Sequence, residues 1–174
     1  MSNVNPTYNM TSKVEDQTLI MERTFDAPRE LVFKVFSDPT HLAHWWGPKG
    51  WHTEIRQFDF KPNGIWHYCM RCTDKNQGEF YGQESWCKAV YQEIIEPEKI
   101  VCIDTFTDQE GNAIEGMPEM LITLTFLEFE GKTKLINHTR FASAEALKFV
   151  LDMGMIEGMA ESLDRLAYLL QELQ

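Results

Sequence analysis

Two pairs of residues stand at spacings that metals and redox centres use. Cys69-x-x-Cys72 has the form of a zinc or disulfide half-site. It falls in a β-capable run, Ile65 to Cys72, where residues three apart point to opposite faces and stand about 10 Å apart along the strand. Zinc–sulfur bonds of about 2.3 Å, and the Cα separation below about 7 Å of a disulfide, both need closer thiols. No metal or redox role is assigned to them. Cys87 and Cys102 have no motif spacing and read as thiols filling a core. His41 and His44 share one face of a short helix, yet the sequence places no further ligand beside them. His52 adds no defined geometry, and His67 alternates with Trp66 and Tyr68, so it faces away from them. These histidines are read as solvated, and neither a metal nor a cofactor is expected.

Acid–base and nucleophilic chemistry leave equally little trace. No nucleophile elbow, phosphate-binding loop, dinucleotide fingerprint or zinc-protease motif occurs. Asp59, Glu84, Glu93 and Asp104 fall on strand-like runs and read as surface or ladder positions, with nothing pairing two of them as acid and base. No catalytic residue is assigned. Two polar residues among apolar neighbours are more informative. Asp152 falls inside a helical apolar stripe, so its carboxylate either looks toward the sheet or is solvated where the helix start overhangs. Asn137 shares its strand face with Leu135, so an inward amide takes its hydrogen bonds either from backbone or from a ligand or water.

The elements that must position these residues follow from periodicity. Residues 1–16, rich in Asn, Ser, Thr and charge, lack helical or strand period and read as a flexible tail, leaving 17–174 as one domain. Thr18 to Phe25 reads as a first strand, and two short helices follow. Asp26-Ala27-Pro28 opens the first, Asp38-Pro39 opens the second, and Gly47-Pro48 stops it. Six strand-like runs come next: Trp51 to Phe60, Ile65 to Cys72, Glu79 to Ile94, Ile100 to Phe106, Met120 to Phe129 and Thr133 to Phe141. Short turns between them favour antiparallel pairing. Trp66, Tyr68 and Met70 share one face, as do Ile122, Leu124 and Phe126, and these faces should point inward. Glu145 to Leu173 sustains a helical pattern for about 43 Å, with Phe149, Met153, Ile156, Ala160, Leu163, Ala167 and Leu170 as its apolar stripe. Gly154 and Gly158 sit within it at a cost of about 1 kcal/mol each against Ala, which close approach of a neighbour would offset. The fold class is therefore α+β, a curved antiparallel sheet of six to seven strands wrapped around a long C-terminal helix.

Composition narrows the partners. With 174 residues, 43% of them hydrophobic, the chain can bury a core without disulfide or metal. A net charge of -11 argues against nucleic acid and anionic membrane surfaces. No run approaches a membrane span, and Met1 to Met10 lacks the features of a secretory signal, so a cytoplasmic monomer or homodimer is expected.

Several motifs together carry a resemblance. They are Trp45-Trp46-Gly47-Pro48, Asp59-Phe60-Lys61-Pro62-Asn63-Gly64, Tyr91-Gln92-Glu93-Ile94 running into Pro97-Glu98-Lys99-Ile100-Val101, and Gly154-Met155-Ile156-Glu157-Gly158-Met159. From Thr18 to Leu173 the chain resembles the bacterial branch of the family named for activators of the ninety-kilodalton heat-shock-protein ATPase. That family lies within the START and birch-pollen-allergen superfamily (SRPBCC) of helix-grip ligand binders. The stretch Asp104 to Asn112 also resembles a motif of one bacterial subgroup. Departures include Asn63-Gly64 in place of Gly-Gly, Met159 in place of a late-helix Trp, and Asn137 and Thr139 in place of apolar residues. Met for Trp leaves a larger, more adaptable pocket if the position lines it.

The resemblance and the residue pattern imply a module that binds or carries a small hydrophobic or amphipathic molecule between sheet and helix. Its expected binding residues are Trp45, Trp66, Tyr68, Ile122, Leu124, Asn137, Phe149, Asp152, Met153, Ile156 and Met159, with Asp152 as polar anchor. The alternatives are an enzyme of polyketide-cyclase type, using Asp152, Asn137 or Tyr68, and a partner of the chaperone ATPase. The extra N-terminal domain that accompanies the co-chaperone's matching domain is not expected here, and fold alone does not confer that activity.

Overall fold

The computed structural model describes residues 5–7 and 9–174. Among the described residues nine strands form one antiparallel sheet: β1 (Asn5–Thr7), β2 (Met10–Glu15), β3 (Thr18–Phe25), β4 (Trp51–Phe58), β5 (Ile65–Cys72), β6 (Glu84–Ile95), β7 (Lys99–Thr107), β8 (Met120–Phe129) and β9 (Lys132–Arg140). Their order across the sheet is β1-β2-β3-β9-β8-β7-β6-β5-β4. Strands β4 to β9 run as a meander, and β3 joins it through β9, with Met21 opposite Asn137. Ladder irregularities between Ile55 and Gln57 and between Tyr91 and Glu93 add a residue to one strand, which bends it and deepens the twist.

Two helices lie between β3 and β4. The first, α1 (Arg29–Ser37), buries Val32, Phe33, Val35 and Phe36. The second, α2 (Pro39–Trp45), begins as its sequence dictates. The Asp38 carboxylate accepts from the backbone N–H groups of Thr40, at 2.9 Å, and His41, at 3.4 Å, and Pro39 fills a position that needs no donor. Phe36 packs edge-on against Trp45 at 4.8 Å and against Phe126 of β8 at 5.3 Å, so both helices are pinned to the inner sheet face by aromatic contacts.

Three expectations are corrected. The first is the flexible tail of residues 1–16. Within it β1 and β2 pair antiparallel, β2 pairs with β3, and Met10 and Ser12 are buried; residues 1–4 and 8 lie outside the described residues. Polar composition hid a strand whose alternate residues meet the core. The second is the strand drawn from Glu79. The chain forms a 3-10 turn over Lys75–Phe80, and β6 starts only at Glu84. The third is the single C-terminal helix. It is two helices, α3 (Ala144–Asp152) and α4 (Met155–Glu172), broken where Gly154 takes φ 89°. The break resets the helical phase, so α3 buries Leu147 and Val150 while α4 buries Ala160, Leu163, Leu166 and Leu170.

Two arginines tie α4 to the rest of the fold. Arg23 of β3 donates from Nη1 to Asp164 Oδ1 at 2.6 Å. Arg165 reaches the other way, donating from Nη2 to the His44 carbonyl and from Nη1 to the Gly47 carbonyl, each at 2.9 Å, with the Trp51 carbonyl at 3.2 Å. A guanidinium offers five donors in a fixed fork. Here it gathers carbonyls from the last turn of α2 to the start of β4 and holds Trp46-Gly47-Pro48 against the helix.

Candidate functional site

The site is a row across the inner sheet face. Trp66 of β5 lies opposite Ala89 of β6, Ala89 opposite Asp104 of β7, and Asp104 opposite Met120 of β8. Ala89 is the small member, so the indole and the carboxyl flank a position with little side chain between them. Above this row lies an apolar cavity of about 90 Å³, closed over by Trp45 and Trp46 from α2 and its end, and by Met155, Met159 and Leu163 of α4. A second, wider cleft of about 440 Å³ is lined by Pro48, Phe80 and the Met153-Gly154 break. Trp46, Asp104, Met120, Met155 and Met159 border both spaces. Three of the five are methionines, whose unbranched, polarisable chains adapt to irregular shapes.

Polar groups are few, and they are unusual. Three buried side-chain nitrogen or oxygen atoms lack a hydrogen-bond partner among the described residues, and two of them, Trp66 Nε1 and Asp104 Oδ1, belong to this cavity's lining. Trp66 is 7% exposed and Asp104 8%. Burial pushes the Asp104 carboxyl up to about 7, opposed only by a hydrogen bond from the Thr105 backbone. The lining holds no Lys, Arg or His to stabilise its charge. Burial, and then the nearby Asp104, also raise the Tyr68 hydroxyl and the Cys87 and Cys102 thiols, so these groups stay protonated. The arrangement is an apolar chamber offering an indole N–H and a carboxyl near its neutral point.

Residues 26–171 match the sequence model of a family described as Activator of Hsp90 ATPase homolog 1-like protein. The chain belongs to this family. With it comes membership of the helix-grip superfamily, which solved structures bear out. The crystal structure of Ms6760 from Mycobacterium smegmatis superposes with a TM-score of 0.80 at 28% identity, covering 96% of this chain and 94% of that one. The solution structure of a Staphylococcus epidermidis protein gives 0.78 at 27% identity over 92% and 93%. An Arthrobacter aurescens protein shares the fold, with a TM-score of 0.82 at 24% identity over 98% and 91%. A search of curated protein sequences finds no match. No helix among the described residues is long and apolar enough to cross a membrane.

Within this helix-grip frame the residues singled out from the sequence separate into three groups. Trp45, Trp66, Ile122, Leu124, Asn137 and Met159 line the inner cavity. Tyr68 and Met153 border the outer cleft, and Ile156 packs half-buried against the core without lining either space. Phe149, 48% exposed, and Asp152, also exposed, belong to neither. They are corrected: both lie on α3, before the break that changes which residues face the sheet. Asp152 is thus no polar anchor and does not join Asn137 and Tyr68. The Asn137 amide oxygen accepts from Thr139 Oγ1 at 2.6 Å, a partner within its own strand.

Sequence reasoning missed Asp104, expected at a surface or ladder position. The signal was there, because Asp104 has the same parity on β7 as Ile100 and Cys102, both buried. It also misjudged His67, which does face away from Trp66 but is not solvated. The residue is 6% exposed, with Thr107 Oγ1 3.4 Å from its Nε2 and the Trp86 ring at 5.3 Å. Lys88 Nζ donates to the Gly111 carbonyl at 3.0 Å, and so holds the loop after β7 over that outer face.

Proposed function

We propose that this protein binds a small hydrophobic or amphipathic molecule, with its polar end between Trp66 and Asp104 and its apolar body passing the methionines into the outer cleft. The observation that carries this is the pair of unpartnered buried polar atoms in an otherwise apolar chamber. Buried polar groups are hydrogen-bonded as a rule, and few-polar, concave, mostly apolar sites are what small ligands occupy. The inner cavity alone holds a head group, and the open cleft supplies the volume a larger ligand needs. The fold of this family commonly serves as a ligand-binding scaffold, in keeping with the reading. A net charge of -11 favours a small molecule over nucleic acid or an anionic membrane surface as the partner. The four cysteines are free and buried, which fits a reducing compartment such as the cytoplasm.

Met159 supplies the test, since it borders both cavity and cleft. Met159→Trp should fill the connection, raise the unfolding midpoint and weaken binding of an apolar fluorescent dye at least tenfold. Filling an empty volume stabilises by about 24 cal/mol for each Å³ removed, whereas overpacking costs about 1–3 kcal/mol. A variant that loses stability and still binds the dye as the wild type does would refute the proposed site.

A further inference from the structure

We infer that the buried end of the ligand is a carbonyl oxygen, which accepts hydrogen bonds from the Trp66 indole N–H and from a neutral Asp104 carboxyl. This rests on the reading of the cavity as a ligand site and specifies its chemistry. Trp66 Nε1 can only donate, so it requires an acceptor. Asp104, whose Oδ1 is likewise unpartnered, lines the same cavity, and the two residues are separated across the sheet by Ala89 alone.

What Asp104 offers depends on its proton. The titratable groups that bear on it are Tyr68 of β5, Cys87 and Tyr91 of β6 and Cys102 of β7, all kept neutral by burial. From β8, β9 and α4 it is faced by Met120, Asn137, Met155 and Met159, and no cation lines the cavity. An ionised carboxylate there would be an unpaired buried charge, which costs far more than a buried neutral acid. Its proton affinity is already raised to about neutrality, and a ligand that excludes the remaining water raises it further. A neutral carboxyl presents an O–H, so the site offers two donors to one small apolar space.

The candidate head groups then separate. An ammonium brings donors only and leaves the indole unsatisfied. A hydroxyl satisfies both groups best when Asp104 is ionised, at the cost of the buried charge. A ketone, aldehyde or ester oxygen has two lone pairs and accepts from both donors with no net charge in the cavity. A pure hydrocarbon leaves both polar atoms unpaired.

Isothermal calorimetry on the full chain with four molecules of one shape tests this: acetophenone, 1-phenylethanol, 1-phenylethylamine and ethylbenzene. Acetophenone should bind at least tenfold more tightly than ethylbenzene or the amine. Its affinity should fall as pH rises from 7 to 9, with uptake of protons on binding. Asp104→Asn, whose amide still donates, should keep the preference for the ketone and abolish its pH dependence, and Trp66→Phe should reduce the preference. A tighter amine, or acetophenone affinity that rises with pH, would overturn the inference. Equal binding of acetophenone and ethylbenzene would overturn it while leaving the cavity as a ligand site, whereas binding of none of the four would overturn both readings.

Discussion

A carboxyl poised near neutrality inside an apolar chamber gives stability a pH dependence opposite to that of a salt-bridged aspartate. The Asp104 carboxyl stands at about 7 in the folded chain against an ordinary 3.8. Between those values the folded state holds a proton that the unfolded state has released. Stability therefore falls as pH rises from about 4 to about 7 and levels off above. The full penalty at high pH is up to about 4 kcal/mol. Asp104→Asn removes this titration while keeping shape. The variant should gain on the wild type by about 2–4 kcal/mol between pH 4.5 and pH 8, as urea unfolding at the two values would show. A stability difference that is the same at both would mean that Asp104 ionises freely and is reached by solvent. That this residue was not legible follows from a conflict of two rules. Its parity with Ile100 and Cys102 points inward, whereas the cost of burying charge favours the surface position expected of it. No single strand reveals that Ala89 and Trp66 lie beside it, because register across β5, β6 and β7 is a property of the assembled sheet.

At the scale of elements, the meander, the two short helices and the inward faces of β5 and β8 were legible, because period two and capping residues are local signals. The helix break was not. Its apolar stripe continues smoothly in sequence across Gly154, and only the positive φ of that residue shows that the axis is interrupted. The two glycines of this region should therefore answer oppositely to the same change. At Gly154 an added methyl meets only Glu157 Oε2 at 3.8 Å, but φ of 89° disfavours any L side chain. Gly154→Ala should cost about 1–2 kcal/mol. Gly158 has helical backbone, and its added methyl would meet Pro48 Cβ at 4.0 Å, an ordinary contact. Gly158→Ala should stabilise by about 1 kcal/mol. Thermal unfolding of the pair measures both signs. Stabilisation by both would indicate one continuous helix in solution, and Phe149 and Asp152 would then return to the inner face.

Over the whole molecule, the cavity exists because three layers of constraint meet around it. The sheet supplies the floor, Arg165 draws the Trp46-Gly47-Pro48 wall onto α4, and the pairing of β3 with β9 holds the β3 side of the sheet to the meander. That last link depends on the N-terminal segment, because β2 covers the far side of β3, with Ser12 opposite Met21, and Met21 lines the cavity. Deleting residues 1–16 removes β2, leaves β3 as an exposed edge and uncovers surface that Met10 now fills. Losing one buried side chain of this size costs about 1.5–3 kcal/mol, and the freed ladder groups add to that. The deletion should lower the unfolding midpoint by several degrees and make the protein prone to association through the new edge, visible as concentration-dependent scattering. It should also weaken dye binding, since Met21 would lose its support. A truncated chain with unchanged melting and binding would show that β2 is dispensable, and that the polar composition of this segment, rather than its alternation, describes its contribution.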